Sequence, residues 1–161
     1  MPQANYRKRQ KALFPLINEH NSELELCENI RKGVQNKVES DRIAEYTIHY
    51  FQKHLIPHFQ KESLFLEKLD ELDLLRKKAE KQHRRLNRLK EKLIALPKRK
   101  EVTLGVFEEE LEAHVRFEKK ELIPHLQRQL TVKDLEEVCR NLRKKKKSHK
   151  EDRCWDDKFW E

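Results

Sequence analysis

Glycine occurs 2 times and proline 5 times in 161 residues, too sparingly for the turns that a β-sandwich or barrel needs. No stretch approaches the roughly 20 uninterrupted apolar residues of a membrane span, and the opening residues MPQANYRKRQ lack the apolar run of a signal peptide. The expectation is a cytoplasmic protein with no membrane association. Cysteine is scarce too: Cys27, Cys139 and Cys154 are odd in number and form no CxxC pair, which speaks against a disulfide framework or zinc ribbon and for reduced thiols. What the chain has in abundance is charge, 41% of residues against 36% hydrophobic. An interior must then be assembled from amphipathic stripes, and the length suits one core.

Four such stripes can be read. Helix A carries Leu13, Leu16, Ile17, Leu24, Cys27 and Ile30 and stops at Gly33, a residue suited to the position just past a helix end. Helix B carries Ile43, Thr47, Phe51, Leu55, Phe59, Leu66 and Leu69 and ends near Asp70. Helix C carries Leu72, Leu75, Ala79, Leu86, Leu89 and Leu93 and halts before Pro97, which cannot donate to the ladder. Helix D carries Leu104, Phe107, Leu111, Val115 and Leu122 and reaches about Leu130, after which Thr131 and Asp134 spell a capping box for a short fifth helix. The predicted fold is all-α, an up-down-up-down antiparallel four-helix bundle over residues 1–130. Residues 131–161 form the short helix and a basic tail, poorly ordered from Leu142 on, whose aromatic end (Trp155, Phe159, Trp160) could dock on the bundle.

Each stripe is interrupted by ionisable groups, which a buried helix face should not carry without a reason. His20 sits three residues after Ile17 and four before Leu24; His83 sits four after Ala79 and three before Leu86. His58 with Glu62, and His114 with Glu118, are i, i+4 pairs on the apolar faces of helices B and D. Counting from each to the intervening turns gives 13 against 17, 12 against 11, and 14 against 16 residues. At about 1.5 Å per residue these mismatches stay within about one turn. The four histidines therefore share one level of the bundle. His125 lies 11 residues beyond His114, about 16 Å away along the axis, and His149 lies in the tail, so neither is a candidate.

Four imidazoles and two carboxylates in one buried layer would be heavily penalised without a cation. Nitrogen and oxygen donors without a thiolate suit iron or another borderline first-row metal, and facing helices that project such side chains inward are how bundles build dinuclear centres.

The segments INEHNSELELCENIRKG, HLIPHFQKE, the histidine of KQHRRL and LEAHVRFEKKELIPHL resemble, in order, the four signature segments of hemerythrin-like (HHE cation-binding) domains over about residues 8 to 130. The resemblance implies two iron ions in a non-haem di-iron site, with His20, His58, His83 and His114 as terminal ligands and Glu62 and Glu118 as bridging carboxylates. It further implies an open position for dioxygen or another small diatomic ligand, and roles in oxygen binding, or in iron, redox or nitrosative-stress sensing, storage or response. An enzymatic variant would be a di-iron oxidoreductase acting on peroxide or nitric oxide. Phe51, Phe59, Leu111 and Phe117 are candidate pocket-lining residues. The chain departs from oxygen-carrying hemerythrins in lacking a second histidine on helix C, since Ala79 and Asn87 flank His83 at four residues, and in having Asn21 and Ser63 where many members have a histidine and an acid. His54 and Glu121 are read as surrounding or surface groups rather than as the missing ligand.

Between Arg76 and Lys100, 12 lysines and arginines stand against Glu80 and Glu91. The alternative function is accordingly a basic partner- or nucleic-acid-binding bundle without metal. A solvated face partly balanced by the acids Glu108, Glu109, Glu110 and Glu112 is preferred, because no nucleic-acid-binding motif or interleaved aromatics accompany the charge.

Overall fold

The computed structural model describes residues 2–95, 97–145 and 155–161. Among them the regular structure is entirely helical: α1 (Pro2–Ile17), α2 (His20–Gln35), α3 (Ser40–Tyr50), α4 (Ile56–Leu66), α5 (Leu74–Ala95), α6 (Lys100–Phe117), α7 (Ile123–Gln129) and α8 (Val132–Lys145). The expected helix A is two helices, α1 and α2, separated by a turn at Asn18 and Glu19, so that His20 opens a new helix instead of lying mid-way along a long one.

Gly33 does not end that helix. It lies inside α2, and the left-handed turn residue is Lys37, at φ 56. The glycine is required by packing: a Cβ at position 33 would come within 2.7 Å of the Phe159 ring and 2.9 Å of Ile43. Leu72 is likewise no part of helix C. It is 74% exposed in the turn ahead of α5, whose first backbone N–H groups, those of Leu75 and Arg76, donate to the Asp73 carboxylate at 3.0 Å, a side-chain cap.

Helices B and D each contain a π-helical turn, Phe51–Leu55 between α3 and α4 and Glu118–Leu122 between α6 and α7. The turns close with i→i−5 bonds, Ile56 N–H to the Phe51 carbonyl and Ile123 N–H to the Glu118 carbonyl. In both cases the cause follows directly in the sequence. Pro57 and Pro124 have no N–H to offer the carbonyls of Lys53 and Lys120, so the ladder widens instead of continuing at i−4.

Buried apolar side chains form two clusters. One holds Leu26, Ile30, Ile43, Phe51, Leu86, Leu93, Phe107 and Leu111; the other holds Leu13, Leu16, Phe65, Leu66, Ala79, Leu122, Leu126 and Leu135. In every column of the chain the polar residues His20, His58, Glu62, His83, His114 and Glu118 fall between members of the two clusters. α2 packs along α6, and α5 along α6. α8 begins with the predicted capping box, Asp134 N–H to Thr131 Oγ1 and Thr131 N–H to Asp134 Oδ2, both 3.1 Å, and rests on α1 and α4. It remains helical through Lys145, which corrects the expected loss of order from Leu142; Lys146, Lys147, His149 and Cys154 lie outside the described residues. The aromatic end does dock: Trp155, Phe159 and Trp160 surround Tyr46, with ring centroids 5.9, 5.3 and 5.1 Å away.

Candidate metal centre

His20, His58, Glu62, His114 and Glu118 are each at most 1% exposed, and His83 keeps 12% of its side chain exposed. Glu118 sits at the middle. Its Oε2 accepts from His20 Nε2 at 2.5 Å, and its Oε1 lies 3.3 Å from His58 Nε2 and 2.5 Å from His114 Nε2. Glu62 Oε2 is 3.2 Å from His83 Nε2, 3.6 Å from His58 Nε2 and 3.7 Å from His114 Nε2. All six residues singled out from the sequence are thus gathered in one layer.

A seventh residue joins them. Glu23, one turn after His20, is 2% exposed and places Oε1 3.2 Å from His58 Nε2. Two donor groups result, His20, Glu23, His58 and Glu118 in one, and Glu62, His83, His114 and Glu118 in the other; within each, the donor atoms all lie within 4.8 Å of one another. The stripe drawn through Leu24 hid Glu23. Leu24 is only half-buried, whereas Leu26 is fully buried, and the inward spacing His20, Glu23, Cys27, Ile30 was present in the sequence.

Apart from Trp155 Nε1, every buried side-chain nitrogen or oxygen without a hydrogen-bond partner among the described residues belongs to this layer: both oxygens of Glu23, both of Glu62, Nε2 of His83 and His114, and Nδ1 of His20. Several of these atoms are close to one another yet poorly aligned for hydrogen bonding. That combination is rare in a folded protein, and it fits donors aimed at shared points between them. The donor chemistry, imidazole nitrogen and carboxylate oxygen without thiolate, suits a first-row transition metal such as iron.

The surrounding groups hold the imidazoles in place. His58 donates from Nδ1 to Glu19 Oε2 at 2.7 Å, and Glu19 also pairs with Lys61. His114 donates from Nδ1 to Gln82 Oε1 at 2.5 Å, and the Phe59 ring stacks on His83 at 4.2 Å. Both hydrogen bonds fix the tautomer that leaves Nε2 free to face the layer. Phe117 lies beside His114, with centroids 6.4 Å apart. His54 lies against Tyr50 with the rings tilted and their centroids 4.5 Å apart, and Glu121 pairs with Lys78 at 3.3 Å; neither belongs to the donor groups.

With no cation between them these groups perturb one another strongly. Burial pushes Glu23 up to about 8. Burial would depress His114, but Glu118 and Glu62 outweigh it and raise it to about 10. His58 is raised in the same way, by Glu118, Glu19 and Glu23 against burial, and Glu118 is held well below the usual carboxylate range by His114, His20 and His58, again against burial.

His125 is outside the layer and bonds Asp73 at 2.7 Å. The basic stretch on α5 is not a uniform cationic face. Arg76 pairs with Glu80 and Arg85 with Glu110, while Lys78 and Lys90 lie over the rings of Phe117 and Phe51. Glu108 and Glu112, expected to balance α5, instead hold Arg31 of α2. Among the described residues no helix is long and apolar enough to cross a membrane. Comparison with curated proteins and with solved structures returned no match. Residues 13–126 match the family described as Hemerythrin HHE cation binding domain, a span that contains every donor in the layer. The chain belongs to the hemerythrin HHE cation-binding family.

Proposed function

We propose that this protein holds two non-haem iron ions in a four-helix bundle of up-down-up-down topology and uses them to bind dioxygen or a related small diatomic ligand or oxidant. Oxygen, iron or redox sensing, storage or stress response would be the physiological setting, in the cytoplasm. The topology is supported by the two apolar clusters. The chain passes from Leu16 in one to Leu26 in the other, returns from Phe51 to Phe65, crosses again from Ala79 to Leu86, and returns from Leu111 to Leu122. Residues 1–130 would be the bundle, with 131–161 a C-terminal addition.

The observation that carries the functional reading is the set of buried, unpartnered donor atoms concentrated in one layer. His20, His58, His83 and His114 would hold the metal pair, with Glu62 and Glu118 as the carboxylates that reach both halves. When bound, ferrous iron with imidazole and carboxylate ligands supplies reversible one-electron chemistry and an open coordination position. The chain's own work is then positioning and exclusion. Glu19 and Gln82 fix the rings of His58 and His114, and Phe51, Phe59, Leu111 and Phe117 keep the layer dry. The edge of His83 is the half-open side through which a diatomic molecule can approach.

Metal analysis of anaerobically purified protein, with absorption spectra before and after air is admitted, tests the reading. Two irons per chain and a spectrum that changes with air are expected. A stable protein that takes up no iron would reject it.

A further inference from the structure

The two donor groups have four members each, with Glu118 common to both, and become unequal once the carboxylates that the reading above takes as shared are set aside. Setting aside Glu62 and Glu118, whose oxygens lie near imidazoles of both groups, the His83 side has two imidazoles, His83 and His114. The His20 side has two imidazoles and one more carboxylate, because Glu23 reaches His58 and belongs to no other group. Glu23 is 2% exposed, and neither of its oxygens has a hydrogen-bond partner among the described residues. A buried carboxylate left in that state is strongly unfavourable unless something compensates its charge, and no lysine or arginine pairs with it. The imidazole that pairs with it, His58, places Nε2 3.2 Å away but shares that nitrogen with Glu118 at 3.3 Å and Glu62 at 3.6 Å, while its Nδ1 is committed to Glu19.

On the reading above, we infer that Glu23 is a direct metal ligand confined to the His20 and His58 side, making the two cations inequivalent. The ion on that side takes one more protein donor than its neighbour, so it is the more tightly held and the more nearly saturated. The ion beside His83 keeps the free position, on the side where the layer meets solvent.

The test is anaerobic titration of the full-length, metal-free chain with ferrous iron against a competing chelator, together with thermal unfolding of the metal-free form. The wild type should bind two equivalents with distinguishable affinities. Glu23→Gln should weaken the tighter equivalent by at least about tenfold, since even residues that only support ligands typically change affinity 10- to 100-fold. The metal-free variant should unfold at the same temperature or higher, because a neutral amide of the same shape replaces a buried carboxyl whose oxygens have no hydrogen-bond partner among the described residues. Should Glu23→Gln fail to fold, Glu23→Asp, which keeps the charge but shortens the reach, should show the same selective loss. Retention of both equivalents at wild-type affinity would overturn the inference while leaving the di-iron reading intact, as would a metal-free form destabilised as much as the loaded one. Failure of the wild type to bind iron at all would instead strike the proposed function itself.

Discussion

The ring of Phe159 occupies the space that a side chain on Gly33 would need, 2.7 Å from the ideal Cβ position. A residue of the C-terminal aromatic end thus dictates the identity of one in the last turn of α2. Gly33→Ala should gain about 1 kcal/mol of helix propensity but lose about 1–3 kcal/mol to overpacking against Phe159 and Ile43, for a net fall in stability. Phe159→Ala should cost about 3 kcal/mol as a buried aromatic. If the contact is what makes the glycine necessary, the double variant will be less destabilised than the sum of the two, a coupling that thermal or denaturant unfolding of the four proteins measures directly.

Glu118 reaches His20 and His58 on one side and His114 on the other, and Glu62 Oε2 lies 3.2 Å from His83 Nε2 and 3.6 Å from His58 Nε2. Glu118→Gln and Glu62→Gln should therefore each impair retention of both metal equivalents, with metal content after dialysis against a weak chelator as the measurement. Loss of a single equivalent from either variant would contradict the shared role of that carboxylate.

Glu19 belongs to neither donor group and meets the layer through His58. Glu19→Ala should destabilise the metal-free fold only modestly, since Glu19 and its partner Lys61 are both partly exposed, yet weaken metal binding about 10- to 100-fold by freeing the imidazole to rotate. The same direction is expected for Gln82→Ala through His114, with chelator competition as the measurement.

Proton and metal compete for this layer. In the metal-free protein Glu23 is raised from its ordinary 4.5 to about 8 and His114 from 6.5 to about 10. A group whose pKa is raised on folding adds stability that is complete below its unfolded value and disappears as pH climbs through its folded value. The metal-free form should therefore lose stability from about pH 4.5 to 8 through Glu23 and from about pH 6.5 to 10 through His114. Metal affinity should rise over the same interval, because the donors must be deprotonated. The increase in Tm on adding ferrous iron anaerobically should be larger at pH 9 than at pH 6; a gain independent of pH would mean that these protons are not the ones displaced.

Much of this was legible in the amino-acid order. His20, His58, Glu62, His83, His114 and Glu118 could be picked out because each is polar on an otherwise apolar stripe, and counting along the helices put them at one level. Thr131 and Asp134 announced the start of α8. Three things are not legible there. Glu23, one turn from His20, reads as solvent-facing when the stripe is drawn through Leu24. Gly33 reads as a helix end because nothing local reveals that an aromatic ring from 126 residues later lies on it. The π-helical turns leave only a repeated sequence as their trace, Leu55-Ile56-Pro57-His58 and Leu122-Ile123-Pro124-His125. Only the first of these two histidines enters the layer; the second pairs with Asp73, so the tetrapeptide marks a backbone feature and not a ligand.

Those two widened turns give their columns slack. Each houses one residue more than an α-helical turn would, so loss of a residue inside Phe51–Leu55 can be absorbed by tightening the ladder, leaving His58 and Glu62 pointing where they do now. α5 has no such reserve. A single deletion between Ala79 and His83 would rotate the imidazole by about 100° relative to the upstream helix, carrying it out of the layer. Variation in loop-free helix length should accordingly be tolerated before His58 and forbidden before His83, and iron retention by the two single-residue deletions would show it.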